Sequence, residues 1–215
     1  MGRVYLDISV SLDGFVAGPS PTLEEPLGKR GEELHEWVVA LKSWRERHGM
    51  SGGETGPEND LLAGSVADQG AVVMGRKMFS GGRGPWEDDP KADGWWGDEP
   101  PFQTPVFVVT HHARDPAVKE NGTSYVFVTD GVESAIEQAR VAAGEKGVLV
   151  AGGADIAQQA LRSGQLDELQ LHVSPVLLGA GTRLFDNLDA ADIRLEPTRV
   201  VDAPAATHLY YRVRS

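Results

Sequence analysis

The sequence predicts an α/β fold with a mostly parallel central sheet, antiparallel strands at its C-terminal end and helices on both faces. Strand-like and helix-like segments alternate as far as Leu161, which is the pattern of a parallel sheet covered by helices. Beyond Leu161 only strand patterns follow, and the last two, at 193–201 and 207–213, are interpreted as an antiparallel pair. No repeat or domain boundary interrupts the 215 residues, so we expect one domain spanning residues 1–215.

The first half of the chain contains two strand patterns separated by a long insertion. Val4 to Val10 alternates loosely between apolar residues and Tyr5, Asp7 and Ser9, and a turn at Asp13–Gly14 follows. Residues 71–75 form a short apolar run typical of a buried strand, and a helix pattern starts directly after it. We therefore place an insertion at about 18–58.

Helical spacing appears inside this insertion. Its apolar face consists of Leu34, Trp37, Val38, Leu41 and Trp44, which predicts a helix from about residue 32. The tryptophans of this face are interpreted as packing rather than as a ligand platform. Asn59 is a good N-cap for a short helix that follows, running as far as Val66.

A tryptophan-rich loop at 80–102 separates the second and third strands. It is long for a connection inside one domain, which favours a lid or a binding loop. Its three tryptophans, Trp86, Trp95 and Trp96, either cover a ligand or pin the loop to the body.

The second half of the chain continues the alternation. Strands are predicted at 105–110 and 125–129, an amphipathic helix ends at Gly144, and a strand and helix occupy 148–161. Residues 169–174 then alternate cleanly, with a polar side formed by Gln170, His172 and Ser174.

Composition narrows the classes of function. The net charge of −12 argues against nucleic acid and acidic membranes as partners, since both require a basic surface. The absence of cysteine excludes disulfides and thiolate metal ligands, and we predict no metal site. No apolar run is long enough to span a bilayer and the N-terminus is not a secretory signal, so a cytoplasmic location is expected.

The glycine pair Gly152–Gly153 follows a buried strand and precedes a helix. Glycines let a ligand approach the backbone, and the free N–H groups of a helix start attract an anion. The alternative is a tight turn without a ligand, and the motif alone does not decide between them.

Other strand ends favour the anion-binding interpretation. Ligands of open parallel sheets bind at the carboxyl ends of the strands, where this chain places Asp13–Gly14, Gly75–Lys77, Thr110–His111 and Gly152–Ala154. Three of these four ends carry groups suited to an anionic dinucleotide.

The ordered motifs resemble those of a known family. They are Ser11–Gly14, Val73–Phe79, Val108–His111, Val150–Gly153 and His172–Gly179. In this order they resemble the dihydrofolate reductase-like superfamily, and most closely its branch with the reductase domain of bacterial riboflavin biosynthesis. The resemblance covers nearly the whole chain and implies the three-layer fold of that superfamily.

The resemblance also implies NADPH as the cofactor. Gly75, Arg76 and Lys77 would hold the adenosine end, with Arg76 and Lys77 near the 2′-phosphate and with Thr110 and His111 beside the adenine. The pyrophosphate would meet the backbone of Gly152, Gly153, Ala154, Asp155 and Ile156. The nicotinamide would lie against Ser9, Val16 and Ala17.

Three residues are candidates for catalysis. Asp60 precedes Gly75 at nearly the separation of the carboxylate that fixes the pterin ring in dihydrofolate reductases, although it could instead assist an N-cap. Asp13 is the second candidate, and a turn-forming role is its alternative. His172 lies on the polar side of its strand, either facing the pocket or satisfied structurally.

The chain departs from dihydrofolate reductases in its long insertion and in lacking a Pro-Trp motif there, so folate reduction is not expected. We predict an NADPH-dependent oxidoreductase that transfers a hydride to a small heterocyclic, pterin-like or aminopyrimidine-like, or carbonyl or imine substrate. The alternatives are 5-amino-6-(5-phosphoribosylamino)uracil reductase and a non-catalytic dinucleotide-binding module. A homodimer through the C-terminal strands is also expected.

Overall fold

The computed structural model describes residues 2–188 and 193–214. Its strands are β1 (Val4–Ser11), β2 (Phe15–Ala17), β3 (Gln69–Gly75), β4 (Pro105–Val109), β5 (Ala117–Val118), β6 (Ser124–Val128), β7 (Gly147–Gly152), β8 (Glu168–Ser174), β9 (Thr182–Arg183), β10 (Arg194–Asp202) and β11 (Thr207–Arg214). Its α-helices are α1 (Glu36–Val39), α2 (Lys42–Arg47), α3 (Pro57–Asp68), α4 (Arg76–Ser80), α5 (Val132–Ala143) and α6 (Ala154–Arg162). Short 3₁₀ helices occupy Gly31–His35 and Trp86–Asp88.

The main sheet has nine strands in the order β10-β11-β8-β1-β7-β3-β4-β6-β5. The six strands from β8 to β6 in this order run parallel, and β11 pairs antiparallel with β8 and with β10. The mostly parallel sheet with an antiparallel C-terminal edge is thus confirmed. The carboxyl ends of β1, β7, β3 and β4 lie side by side, because these strands are neighbours.

Helices cover both faces of the sheet. Alternate strand residues such as Val73 and Val150 pack with α5 and α6, whose buried residues include Ile136 and Ala157. The residues between them, such as Val72, pack with α4 and the 80–102 loop on the other face. Burying side chains of this size contributes about 1.5–3 kcal/mol each before conformational entropy is subtracted.

Strand register aligns polar residues of the C-terminal half of the sheet in rows. Ser9 of β1 lies opposite His172 of β8, and His172 lies opposite His208 of β11. Because side chains two residues apart share a face, the row of Asp7, Gln170 and Tyr210 is on the same side. All members of these rows except His208 line the pocket described below.

The helix expected from residue 32 is broken into a 3₁₀ helix, α1 and α2, so that prediction is wrong. Leu41 adopts an extended conformation and ends the first pieces. The backbone there pairs with a later segment instead, with the Lys42 N–H donating to Glu54 O at 2.9 Å. The apolar residues of the stripe therefore stay on one side without forming one helix.

The helix predicted beyond Asn59 is confirmed as α3, but its cap is different. Gly56 occupies the N-cap position and Pro57 starts the helix, where its missing N–H costs nothing. The Asn59 side chain instead accepts a hydrogen bond from the Ser43 N–H at 2.8 Å and ties α3 to α2. None of the helices in the described part of the chain is long and apolar enough to cross a membrane.

Candidate functional site

A pocket of about 380 Å³ lies between the sheet and the elements of the insertion. Strands β1, β7 and β8 form its floor, while α1, α2, α3 and the end of the 80–102 loop form its roof. Most of its lining is apolar or aromatic, including Trp37, Trp44, Leu61, Leu62, Met78, Trp96 and Phe102. Its polar lining includes Asp7, Ser9, His35, Arg47, His48, Ser65, Gln69, Gln170, His172 and Tyr210. An apolar cavity with a few polar groups is the ordinary form of a small-molecule site.

Asp7 places a carboxylate on the floor of this pocket. Its Oδ1 lies 2.8 Å from Nε2 of His172, and its Oδ2 accepts a hydrogen bond from the Ser65 hydroxyl at 3.1 Å. Burial by itself raises the pKa of the Asp7 carboxyl, but the interactions with His172 and the hydrogen bond from Ser65 outweigh burial and hold that pKa below its usual range. Asp7 is therefore an ionised group beside an apolar cavity.

His172 continues from Asp7 into a line of hydrogen bonds. Its Nδ1 lies 2.7 Å from Nδ1 of His208, and Nε2 of His208 lies 3.3 Å from Oε1 of Glu58. We call Asp7, His172, His208 and Glu58 the histidine chain. Three of its members come from adjacent strands and Glu58 comes from the first turn of α3, which explains why residues distant in sequence meet here.

Burial favours the neutral forms at the far end of the histidine chain. Burial, followed by repulsion from His172 when that ring is protonated, lowers the pKa of His208 to about 4. Burial, followed by the charge of Glu54, raises the pKa of the Glu58 carboxyl above its usual range. His208 is fully buried, so its ring is not hydrated from outside.

The Trp37 side chain packs against the two imidazole rings of the histidine chain. Its ring lies 4.6 Å from the His172 ring and 5.0 Å from the His208 ring, between centroids. Its indole N–H donates to the Ser9 hydroxyl at 3.0 Å. The expected packing role of Trp37 is thus combined with a place in the pocket wall.

The glycine turn at the end of β7 adjoins this pocket. A side chain at Gly152 would lie 3.5 Å from Ile8 and 3.9 Å from the sulfur of Met78, both of which line the pocket. A Cβ at Gly153 would meet nothing within 4 Å, so the backbone there is open to a ligand. The nine-residue helix α6 begins directly after this turn at Ala154, and its first N–H groups carry the positive end of the helix dipole.

Arg76 is held in a separate buried group that we call the arginine cluster, formed by Arg76, Ser80 and Asp89. The Arg76 Nε donates to the Ser80 hydroxyl at 2.9 Å, its Nη2 pairs with Asp89, and its guanidinium lies 3.2 Å from the centre of the Trp86 ring. Only Nη1 of Arg76 has no partner among the described residues. The cluster anchors the 80–102 loop and consumes most of the Arg76 donors.

Other cations remain at this edge of the sheet. Lys77 and Arg83 are exposed, and within residues 2–188 and 193–214 neither forms an ion pair. Burial lowers the pKa of Lys77, Arg83 lowers it further, and Asp155 at the start of α6 opposes this. With the open turn and the start of α6, these groups fit an anionic dinucleotide.

The remaining residues that were predicted to bind the cofactor differ in burial and in whether they line the pocket. Gly75 serves close packing, since a Cβ there would lie 2.8 Å from Ile156. The Thr110 hydroxyl accepts the His112 N–H at 3.2 Å, while His111 is exposed beyond it. Val16 is buried in the core, Ala17 is half-buried in β2, and of the three residues predicted to meet the nicotinamide only Ser9 lines the pocket.

Of the three catalytic candidates, the structure brings His172 to the pocket. Asp60 is exposed on the first turn of α3 and does not line the pocket, because the neighbouring Glu58 takes the inward position. The Asp13 carboxylate accepts the N–H groups of Leu178 at 3.1 Å and Gly179 at 2.7 Å and so joins two loops. The Ser11 hydroxyl, with these N–H groups, outweighs the opposing effect of burial and lowers the pKa of Asp13 to about 2.

Asp7, Glu58 and His208 were missed by sequence reasoning. The available signal was an Asp between Leu6 and Ile8 in an otherwise apolar strand, since a charge there requires a partner when the strand is buried. The partner could not be found from sequence, because it depends on β8 lying beside β1.

Comparison with known proteins identifies a family and a fold. A family model described as the RibD C-terminal domain matches residues 3–209. No curated protein sequence matches the chain.

Solved structures share the fold at low sequence identity. A protein from Shewanella sp. PV-4 named for riboflavin biosynthesis has a TM-score of 0.62 and 19% identity, with full coverage of both chains. Acinetobacter baumannii RibD has a TM-score of 0.60 and 16% identity, with 100% of this chain and 59% of that chain covered. A Thermotoga maritima diaminohydroxyphosphoribosylaminopyrimidine deaminase/5-amino-6-(5-phosphoribosylamino)uracil reductase has a TM-score of 0.55 and 15% identity, with 99% and 57% covered. The chain thus spans less than two thirds of the last two proteins.

Proposed function

The chain belongs to the RibD C-terminal domain family, a reductase-like family, and on this premise we propose that it is an NADPH-dependent reductase of a small heterocyclic or carbonyl or imine substrate. One observation carries the proposal. The pocket that holds Asp7 and His172 extends along β7 to Ala151, directly before the glycine turn, so a substrate and a dinucleotide can meet there.

NADPH, when bound, supplies the hydride. The residues that would hold it are the open turn Gly152–Gly153, the start of α6 from Ala154 to Ile156, and the strand ends at Gly75, Thr110 and His111, with Ser9 on the nicotinamide side. We assign the 2′-phosphate to Lys77 and Arg83 rather than to Arg76, because Asp89 already neutralises Arg76.

The chain itself provides orientation and a proton. Reduction of a C=N or C=O group needs one proton at the nitrogen or oxygen in addition to the hydride at carbon. Asp7 and His172 are the hydrogen-bonded acid–base pair on the pocket floor, and Asp7 is partly exposed to the cavity. The aromatic roof limits the water that can compete for the same position.

The lining favours a substrate without a phosphate group. Arg47 is the one Arg or Lys that lines the pocket within the described residues, and its Nε and Nη2 already donate to Pro101 O at 2.9 Å and Phe102 O at 3.3 Å. A phosphorylated ligand would find only one remaining guanidinium nitrogen. We therefore place an uncharged heterocycle first and 5-amino-6-(5-phosphoribosylamino)uracil, which family membership favours, second.

The test is NADPH oxidation in the presence of oxidised and dihydro pterins, simple cyclic imines and the phosphoribosylaminouracil. We expect turnover with a member of this panel, and D7N should lower it by about 10²–10⁴-fold, the usual contribution of a positioned proton donor. The dissociation constant for NADPH, measured by fluorescence titration, should stay within about twofold in D7N, because Asp7 makes no contact with the strand ends that hold the phosphates.

The exposed Asp60 supplies the matched control. D60N removes a carboxylate of the same type outside the pocket and should retain turnover. Equal activity of D7N and the unaltered protein would exclude the acid–base role, and NADPH binding without turnover of any substrate would favour a non-catalytic dinucleotide-binding module.

We also propose a homodimer formed through the C-terminal strands. β10 is an edge strand that is exposed along most of its length, and Leu195 and Val200 on it are 43% and 63% exposed. Edge strands of this kind are usually covered or paired. Light scattering of the eluted protein should give the mass of two chains, and V200K should reduce it to one.

A further inference from the structure

The histidine chain extends further from the pocket than proton donation by Asp7 requires. His208 and Glu58 do not line the pocket, yet both are buried and in hydrogen-bonding sequence with His172. A buried carboxyl and a second buried imidazole cost free energy unless their hydrogen bonds are satisfied. Their arrangement therefore calls for a role beyond packing.

The number of hydrogens shared along the histidine chain follows from the geometry of its hydrogen bonds. Asp7 is ionised and can only accept, so Nε2 of His172 carries a hydrogen. The two Nδ1 atoms of His172 and His208 are 2.7 Å apart, which leaves room for one hydrogen between them. A third hydrogen lies between Nε2 of His208 and Oε1 of Glu58.

These three hydrogens have two consistent arrangements. In the first, Glu58 is protonated and donates to Nε2 of His208, whose Nδ1–H donates to His172, and both rings are neutral. In the second, Glu58 is ionised and accepts from Nε2 of His208, while His172 is doubly protonated beside Asp7. The two arrangements have the same total charge and differ only by a shift of hydrogens along the bonds.

The surroundings favour the first arrangement at rest. Burial disfavours a charged His208 and a charged Glu58. Among the described residues, the other ionisable groups coupled to the histidine chain are His35 beside His172, Glu54 beside Glu58, Arg199 on β10 beside His208, and Tyr5 on β1 and Tyr210 on β11 near Asp7. The charge of His172 in the second arrangement is offset by Asp7.

We propose that Glu58 and His208 are positioning residues that store one proton and release it through His172 and Asp7 to the substrate. The inference rests on the proposed reductase function. When the substrate carbon receives the hydride, its nitrogen or oxygen takes a proton from Asp7, which takes the Nε2 proton of His172. His172 then takes the shared proton at Nδ1, and His208 takes the Glu58 proton at Nε2.

The proton balance closes over one turnover. After these transfers, one hydrogen has left the histidine chain for the product. Glu58 and Asp7 are then both carboxylates, and Nε2 of His172 carries no hydrogen. After the product leaves, pocket water returns a proton through Asp7 to this nitrogen. The stored proton then returns towards Glu58 along the same bonds.

The primary test is a pH titration by NMR of the full chain with isotope-labelled histidine and glutamate, without substrate or cofactor. We expect one shared step in which the Glu58 carboxyl carbon and the ring nitrogens of His172 and His208 change together. E58Q should abolish this step at both rings and leave His172 with an unprotonated Nδ1. E54Q, which removes a neighbouring carboxylate outside the chain, should retain the shared step.

Separate steps for Glu58 and the two rings, or unchanged ring titration in E58Q, would overturn the proposal. The measurement on the unaltered protein is decisive without any variant, and H208Q breaks the same chain should E58Q not fold. Because no substrate is involved, a negative result here is distinguishable from failure of the reductase assignment.

Turnover supplies a second readout once one of the candidate substrates named above has been shown to be reduced by the protein. E58Q should lower kcat by about 10-fold to 100-fold and shift the pH profile of kcat, because proton supply and not binding is impaired. KM and the NADPH dissociation constant should stay within about twofold. A merely structural Glu58 would change stability and leave the shape of the pH profile intact.

Discussion

The histidine chain and the arginine cluster are both buried groups of charges, but only one of them opens to a cavity. In the arginine cluster, Asp89 receives hydrogen bonds from Ser80, from Arg76 and from the Lys91 N–H, and the group ends there. In the histidine chain each bond leads to the next group and the last member lines the pocket. Burial and charge alone therefore do not identify a site. What separates the two is whether the hydrogen bonds form a closed group or a line that ends at a cavity.

Breaking the arginine cluster should have the largest effect on stability. R76M leaves the Asp89 carboxylate buried without its cation, so we expect the free energy of unfolding to fall by about 3–5 kcal/mol. Urea denaturation followed by circular dichroism measures this. R83M, which removes an exposed cation nearby, should change it by less than about 0.5 kcal/mol, and similar values for the two variants would contradict the closed-cluster interpretation.

The effect of the histidine chain should instead be seen in how the free energy of unfolding depends on pH. Burial lowers the pKa of His208 from 6.5 to about 4, so between these values the unfolded chain binds a proton that the folded protein refuses. The associated stability is complete above pH 6.5 and is lost as the pH falls towards 4, by an amount on the order of 2–3 kcal/mol.

H208Q removes this titration, so its unfolding free energy should fall less between pH 6.5 and 4 than that of the unaltered protein. H111Q, at an exposed position, should follow the unaltered protein. Parallel curves for all three proteins would show that His208 remains hydrated and titrates normally.

The smallest expected effect concerns Lys77 and Arg83, the cations that lie outside the arginine cluster. The K77A/R83A double variant should lose about 10-fold to 100-fold of any preference for NADPH over NADH, because charge-assisted hydrogen bonds contribute about 1.5–3 kcal/mol. Binding of both cofactors is measured by fluorescence titration. K29A is the control, and an unchanged preference in the double variant would return the 2′-phosphate to Arg76.

The sequence was sufficient for the sheet but not for the site. Alternation and glycine stops located α5 and the eight longer strands, because each of these depends on neighbouring residues, whereas the short strands β2, β5 and β9 were not predicted. Asp7, His172 and His208 are brought together by strand order, which local patterns do not encode. Arg76 shows the converse, since its position after a strand is typical of a ligand-binding residue, whereas its buried ion pair with Asp89 depends on a loop that no periodicity predicts.

The pocket has a floor and a roof of different construction. The floor stands on paired strands whose spacing is fixed by the ladder of backbone hydrogen bonds, whereas much of the roof consists of α1 and α2, which have four and six residues. Exchanging residues 31–56 would reshape the space above the sheet and leave the proton-handling strands in place. Under the proposed function, substrate choice and chemistry would be carried by separate stretches of the polypeptide, which would suit the scaffold to diversification by segment replacement.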